Sequence, residues 1–123
     1  MATGLHTINI KRAYDAPSPG DGLRVLIDRL WPRGVTKDAA KIDEWVKTLA
    51  PSTELRKWFG HDPAKFSEFR ERYTQELDAR KQAVQEVIDL CNKQAVTLVF
   101  SARDAVHNNA VVLKEYLERL GGH

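Results

Sequence analysis

The run Ala95-Val96-Thr97-Leu98-Val99-Phe100-Ser101-Ala102 is the strongest constraint on what this chain can fold into. It is too short for a buried helix and almost free of polar side chains, so it reads as a strand covered on both faces. Strands of that kind belong to parallel sheets, whose faces are hidden by helices from the crossover connections. Two further segments fit the same sheet. Thr7 to Arg12 alternates apolar and polar residues, the period of a half-buried strand, and Leu23 to Leu30 has a branched apolar centre before Trp31-Pro32-Arg33-Gly34 stops it. Between them, residues 15–22 are dense in Pro, Gly, Ser and Asp and form a surface loop.

Helical spacing accounts for much of the remainder. Ile42, Trp45, Val46 and Leu49 fall at i, i+3, i+4 and i+7, which predicts a short helix closed by Pro51. Ser52 caps a second helix carrying Leu55, Trp58 and Phe59, with Gly60 at the left-handed C-terminal position. Asp62-Pro63 starts a third as cap and first residue. Its stripe runs through Phe66, Phe69, Tyr73 and Leu77 and resumes at Val84, Val87, Ile88 and Cys91. A single helix over 63–93 would be about 46 Å long, against roughly 27–35 Å for a compact domain of this size. Two helices with a bend between Asp78 and Lys81 are therefore expected. A last helix over Ala110 to Leu120, ended by Gly121-Gly122, turns Val111 or Val112, Leu113, Tyr116, Leu117 and Leu120 inward.

The expected fold is thus α/β: a small, mainly parallel three-layer sheet of about three core strands with flanking helices, one domain over 1–123. Its 123 residues are 42% hydrophobic and 29% charged, which excludes disordered and fibrous classes, and no run reaches membrane-spanning length. One cysteine, Cys91, cannot form an internal disulfide and is expected buried and inert. Residues 1–6 lack the charged start and apolar run of a secretory leader, so the cytoplasm is the expected compartment. A net charge of +2 is too small to argue for nucleic acid by itself.

In an open parallel sheet, ligands bind beyond the carboxyl ends of the strands, where loops gather and helix N-termini point their amides. That rule selects Lys11, Arg12, Tyr14 and Asp15 after the first strand, and Asp28, Arg29, Trp31 and Arg33 in and after the second. After the third it selects Ser101, Arg103, Asp104, His107 and Asn108. Planar guanidinium groups hold phosphate through paired hydrogen bonds, so the set suits a small anionic ligand, phosphate or nucleotide-like. The anion-binding candidates are Lys11, Arg29, Arg33, Arg103 and Asn108. If the site is catalytic, Asp28 or His107 is its general base. Each has a bland alternative: Arg29 and Asp28 paired with helix residues, Trp31 as a core lid, Asp104 as a helix cap. His61 and Asp62 have no second histidine at helical spacing, and no Gly-rich phosphate loop or paired-cysteine motif occurs, so no metal or cofactor is assigned. One alternative function is a nucleic-acid accessory protein, with Lys11, Arg12, Arg33, Arg56 and Lys57 on phosphates and Trp31 or Trp58 stacked on a base. Another is a protein-interaction module.

Residues 24–34, with the string Asp28-Arg29-Leu30-Trp31-Pro32-Arg33-Gly34, resemble the YeaO-like family. So do Ala50-Pro51-Ser52 with Glu54 to Phe59, His61-Asp62-Pro63, and Thr97 to Asp104 with His107-Asn108. The resemblance spans nearly the whole chain and implies a small bacterial protein within a wider family of unknown function. That wider family is similar in having an Asp-Val-Arg strand end and a Cys-His-Arg element after the last strand. Here Asp28-Arg29 lacks the intervening Val, Val106 stands at the cysteine position and Asn108 at the arginine, so thiol chemistry is not expected.

Overall fold

The computed structural model describes residues 6–121; the expectations for a leader at residues 1–5 and for a helix stop at residue 122 lie outside the described residues. Four strands, β1 (Ile8–Arg12), β2 (Leu23–Leu26), β3 (Glu44–Trp45) and β4 (Val96–Phe100), form one sheet in the order β1-β4-β2-β3. Every pairing is parallel, with β4 central: Ile8 lies beside Val96 on one side and Leu23 beside Val96 on the other. The helices are α1 (Lys37–Ala40), α2 (Thr53–Phe59), α3 (Phe66–Asp78), α4 (Lys81–Lys93) and α5 (Asn109–Gly121).

The side-chain period of two divides the sheet into unequal faces. Val25 of β2 and Ile27 just beyond it, with Val96, Leu98 and Phe100 of β4, join the main core against Phe59, Phe69, Tyr73, Val87 and Leu113 from α2 to α5. The alternate residues Leu26 and Val99, with Ala13, form a thinner cluster covered by Trp31, Ile42 and Trp45. Trp31 and Trp45 meet edge to face with centroids 5.5 Å apart. The second face therefore carries a layer of indoles and loop in place of long helices.

Two expectations about the sheet need correction. The sheet has four strands, because Glu44–Trp45 pairs beside Val25 and Leu26 where a helix was expected. The Asp43 and Val46 amides donate to the Arg24 and Leu26 carbonyls at 2.9 Å, completing the open edge of β2. Ile42 and Trp45 go to the thin cluster while Val46 and Leu49 go to the main core, so the four apolar residues split between faces. Second, β2 stops at Leu26 instead of Leu30. The Asp28 carbonyl accepts from Trp45 Nε1 at 2.7 Å, and its carboxylate turns toward β4, so the chain leaves the ladder there.

The break between α3 and α4 falls at Ala79–Arg80, as the sequence indicates. No Gly or Pro makes it; Arg80 Nη1 donates to the Thr48 and Ala50 carbonyls at 2.7 and 2.8 Å and anchors the corner. Ser52 caps α2 through the Leu55 amide, and Gly60 ends it at φ 55°. Cys91 is fully buried, and burial pushes its thiol up to about 11. In α5, Val112 is the buried member of the valine pair, whereas Leu120 is exposed and not inward, because the last turn leaves that face uncovered.

Candidate functional site

The loops beyond the strand carboxyl ends enclose a cleft of about 720 Å³. Asp28, Arg29 and Arg33 line it from the segment after β2, and Ser101, Arg103, Asp104, His107 and Asn108 from the segment after β4. Residues far apart in the chain thus share one cleft because β2 and β4 are hydrogen-bonded neighbours. Of the residues selected after β1, Tyr14 lines the cleft and three do not: Lys11, whose ammonium turns to Asp21 at 3.0 Å, Arg12, whose Nε donates to the Ala102 carbonyl at 2.9 Å, and Asp15.

Each polar group has a definable task. Asp28 Oδ2 accepts the Ser101 amide at 2.8 Å and Oδ1 accepts Asn109 Nδ2 at 3.0 Å, joining the end of β2 to β4 and α5. Asp104 closes a turn, its Oδ1 accepting the Val106 and His107 amides at 2.9 Å while Oδ2 faces His107 Nδ1 at 2.8 Å. The backbone N–H groups of His107 and Val106, then the imidazole, draw the Asp104 carboxyl down to about 2 against the opposing effect of burial. Nδ1–H donates to that carboxylate, leaving Nε2 the uncommitted ring nitrogen, with the Phe66 ring edge-on at 5.2 Å. Asn108, not Asp104, caps α5: its Oδ1 accepts the Val111 amide at 3.0 Å and its Nδ2 donates to the Asp104 carbonyl at 2.8 Å.

The arginines differ from these. Arg29, Arg33 and Arg103 are exposed at the cleft, joined by Arg56 of α2. Among the described residues, none of the four guanidiniums has an ion pair or a side-chain hydrogen bond, whereas Arg12, Arg24, Arg70 and Arg80 all do. The helix-pairing alternative for Arg29 thus has no partner here. Trp31 is held as a lid, its Nε1 donating to the Val35 carbonyl at 2.6 Å.

Sequence reasoning missed one wall. Ala50, Pro51, Arg56, Phe59, His61 and Phe69 also line the cleft, and they follow β3. Reading 42–49 as a helix removed a strand, and with it the prompt to look beyond that strand's carboxyl end. Had Glu44–Trp45 been taken as an edge strand, the same rule would have selected this segment.

The fold and cleft define a small parallel α/β protein with an arginine-lined mouth at the strand ends. Residues 7–120 match a family described as the inactive DUF488-N3 subclade. The chain is 43% identical over 113 residues to the uncharacterized protein YeaO of Escherichia coli (strain K12), covering 92% of this chain and 98% of that protein. It is 40% identical over 110 residues to the uncharacterized proteins Mb3100c of Mycobacterium bovis and Rv3073c of Mycobacterium tuberculosis, covering 89% of this chain and 92% of each. No solved structure matches the chain at a significant level. The chain belongs to the YeaO-like family, within that subclade.

Proposed function

We propose that the cleft binds a small oxyanion of the phosphate class and does not turn it over. The observation that carries this is the convergence of Arg29, Arg33, Arg56 and Arg103, unpaired among the described residues, on a cleft whose two carboxylates are already engaged within the chain. Four guanidiniums that line one cleft and have no ion pair of their own among the described residues favour an anion between them, and paired guanidinium donors suit phosphate geometry. The second amide hydrogen of Asn108, which also lines the cleft, is an additional donor.

Catalysis has less support. Both oxygens of Asp28 are occupied, Val106 replaces the cysteine of the wider family's motif, and the matching subclade is described as inactive. The nucleic-acid alternative needs Lys11, Arg12 and an aromatic platform. Lys11 is drawn to Asp21, Arg12 Nε donates to the Ala102 carbonyl, and Trp58 already carries the cations of Lys65 and Arg72. Among the described residues no helix is long and apolar enough to cross a membrane. With its single cysteine, the chain suits a cytoplasmic setting.

Isothermal titration with inorganic phosphate tests the reading. The parent binds, and Arg29→Ala and Arg103→Ala each lose about 1.5–3 kcal/mol, roughly 10- to 150-fold. Arg29→Lys restores little, because the ammonium lacks the fork. Lys93→Ala, at the far end of α4, binds like the parent. Absence of binding in the parent, or unchanged affinity in both arginine variants, overturns the proposal.

A further inference from the structure

We infer that the ligand carries its oxyanion on a flat apolar body of one or two aromatic rings, an aryl phosphate in its simplest form. This rests on the anion site proposed above and names the class of molecule that fills the rest of the cleft. A volume of about 720 Å³ lies in the range of sites for drug-sized molecules, and inorganic phosphate would occupy only a small part of it.

The polarity of the lining gives the ligand its two ends. The guanidiniums are exposed at the mouth, while Ala50, Pro51, Phe59 and Phe69 are buried residues that turn apolar surface into the cleft. Tyr14 and Leu30 complete that surface. They are 47% and 62% exposed, two of the four large apolar side chains left open among the described residues, and both line this cleft. A single exposed leucine needs no explanation, but two such side chains beside four unpaired cations complement a body that is apolar at one end and anionic at the other.

Tyr14 is already posed for stacking. Its hydroxyl donates to the Arg33 carbonyl at 3.1 Å and the Arg12 guanidinium lies 5.1 Å from its ring centroid, so a ligand ring meets a side chain that has little rotamer freedom left to lose. Ser101 adds a polar contact inside. Its Oγ is buried and has no hydrogen-bond partner within the protein, although Ser101 lines the cleft. A buried hydroxyl left unmatched is costly, and an oxygen or nitrogen on the ligand body would satisfy it.

The test is calorimetric titration of the full chain with inorganic phosphate, phenyl phosphate, 1-naphthyl phosphate and neutral 1-naphthol, in the parent, Arg103→Ala and Leu30→Ser. Leu30 is exposed, so its replacement leaves the fold intact. The aryl phosphates are expected to bind at least about tenfold more tightly than inorganic phosphate, since burial of a ring adds apolar transfer energy. Leu30→Ser removes much of that gain and leaves inorganic phosphate unchanged, whereas Arg103→Ala weakens all three anions. Equal affinity for inorganic and aryl phosphates, or an aryl gain undiminished in Leu30→Ser, overturns the apolar body and leaves the anion site standing. Naphthol binding as tightly as naphthyl phosphate removes the role of charge and overturns both readings, as does failure of all four probes to bind.

Discussion

Asp28 Oδ2 accepts the backbone N–H of Ser101 at 2.8 Å, a bond between positions 73 residues apart that joins the ends of two neighbouring strands. With the bond from Asn109 Nδ2 to Oδ1, it makes this carboxylate the clasp of the cleft. A carboxylate in that position has a stability role that a freely available general base lacks. Asp28→Ala should lower unfolding stability by about 1–3 kcal/mol, because two partly buried donors lose their acceptor. Urea unfolding at unchanged slope reads this directly. A variant as stable as the parent would show that the clasp contributes nothing.

Acid sensitivity should come from the opposite end of the sheet. Burial alone would raise the Asp21 carboxyl. The Ser18 amide, the Lys11 ammonium, the Ser18 hydroxyl and the Arg24 guanidinium outweigh it and hold the group well below its ordinary 3.8. A depressed carboxyl stabilises the fold above the unfolded value, and that contribution is lost as pH falls toward the folded one. The parent should therefore lose stability from about pH 4 downward, with Asp104 contributing over the same interval. Asp21→Asn should be less stable at pH 7 by roughly 3 kcal/mol, since it leaves the Arg24 guanidinium, 4% exposed, without its counter-charge. Its acid profile should also be flatter. Thermal melts from pH 7 to pH 2 check both, and a parent profile flat below pH 4 contradicts the assignment.

Gly22 should be intolerant of any side chain. Its φ is 65°, and an added Cβ would lie 2.3 Å from the Ala95 carbonyl oxygen, a backbone atom fixed beside the start of β4. Gly22→Ala should cost more than about 1 kcal/mol. Because Gly22 precedes β2 and the cleft lies beyond its other end, phosphate affinity in the folded fraction should match the parent. A urea midpoint equal to the parent's would contradict the close approach.

Much of this architecture is legible in the sequence because it rests on periodicity and caps. The central strand announces itself as an apolar run, Ser52 and Gly60 bracket α2, and length together with the gap in the apolar stripe divides 63–93 where Arg80 anchors the corner. β3 is hidden because two residues carry no period, and their i, i+3, i+4 neighbours imitate a helix while dividing between the two faces of the sheet. Most of the expected site residues share the cleft because the sheet rule concerns strand ends and needs no side-chain detail. It could not reveal that Lys11 turns to Asp21, since that pairing depends on a loop whose path no local pattern encodes.

The most direct test is to record amide resonances of the isotope-labelled protein while inorganic phosphate is added. Shifts should concentrate at 29–33 and 101–109, at the cleft mouth, with Lys11 and residues 85–93 of α4 unmoved, and should need roughly 10- to 150-fold more phosphate in Arg29→Ala and Arg103→Ala. Shifts centred on Lys11 or on α4, or no change at any phosphate concentration, would contradict an anion site at the strand ends.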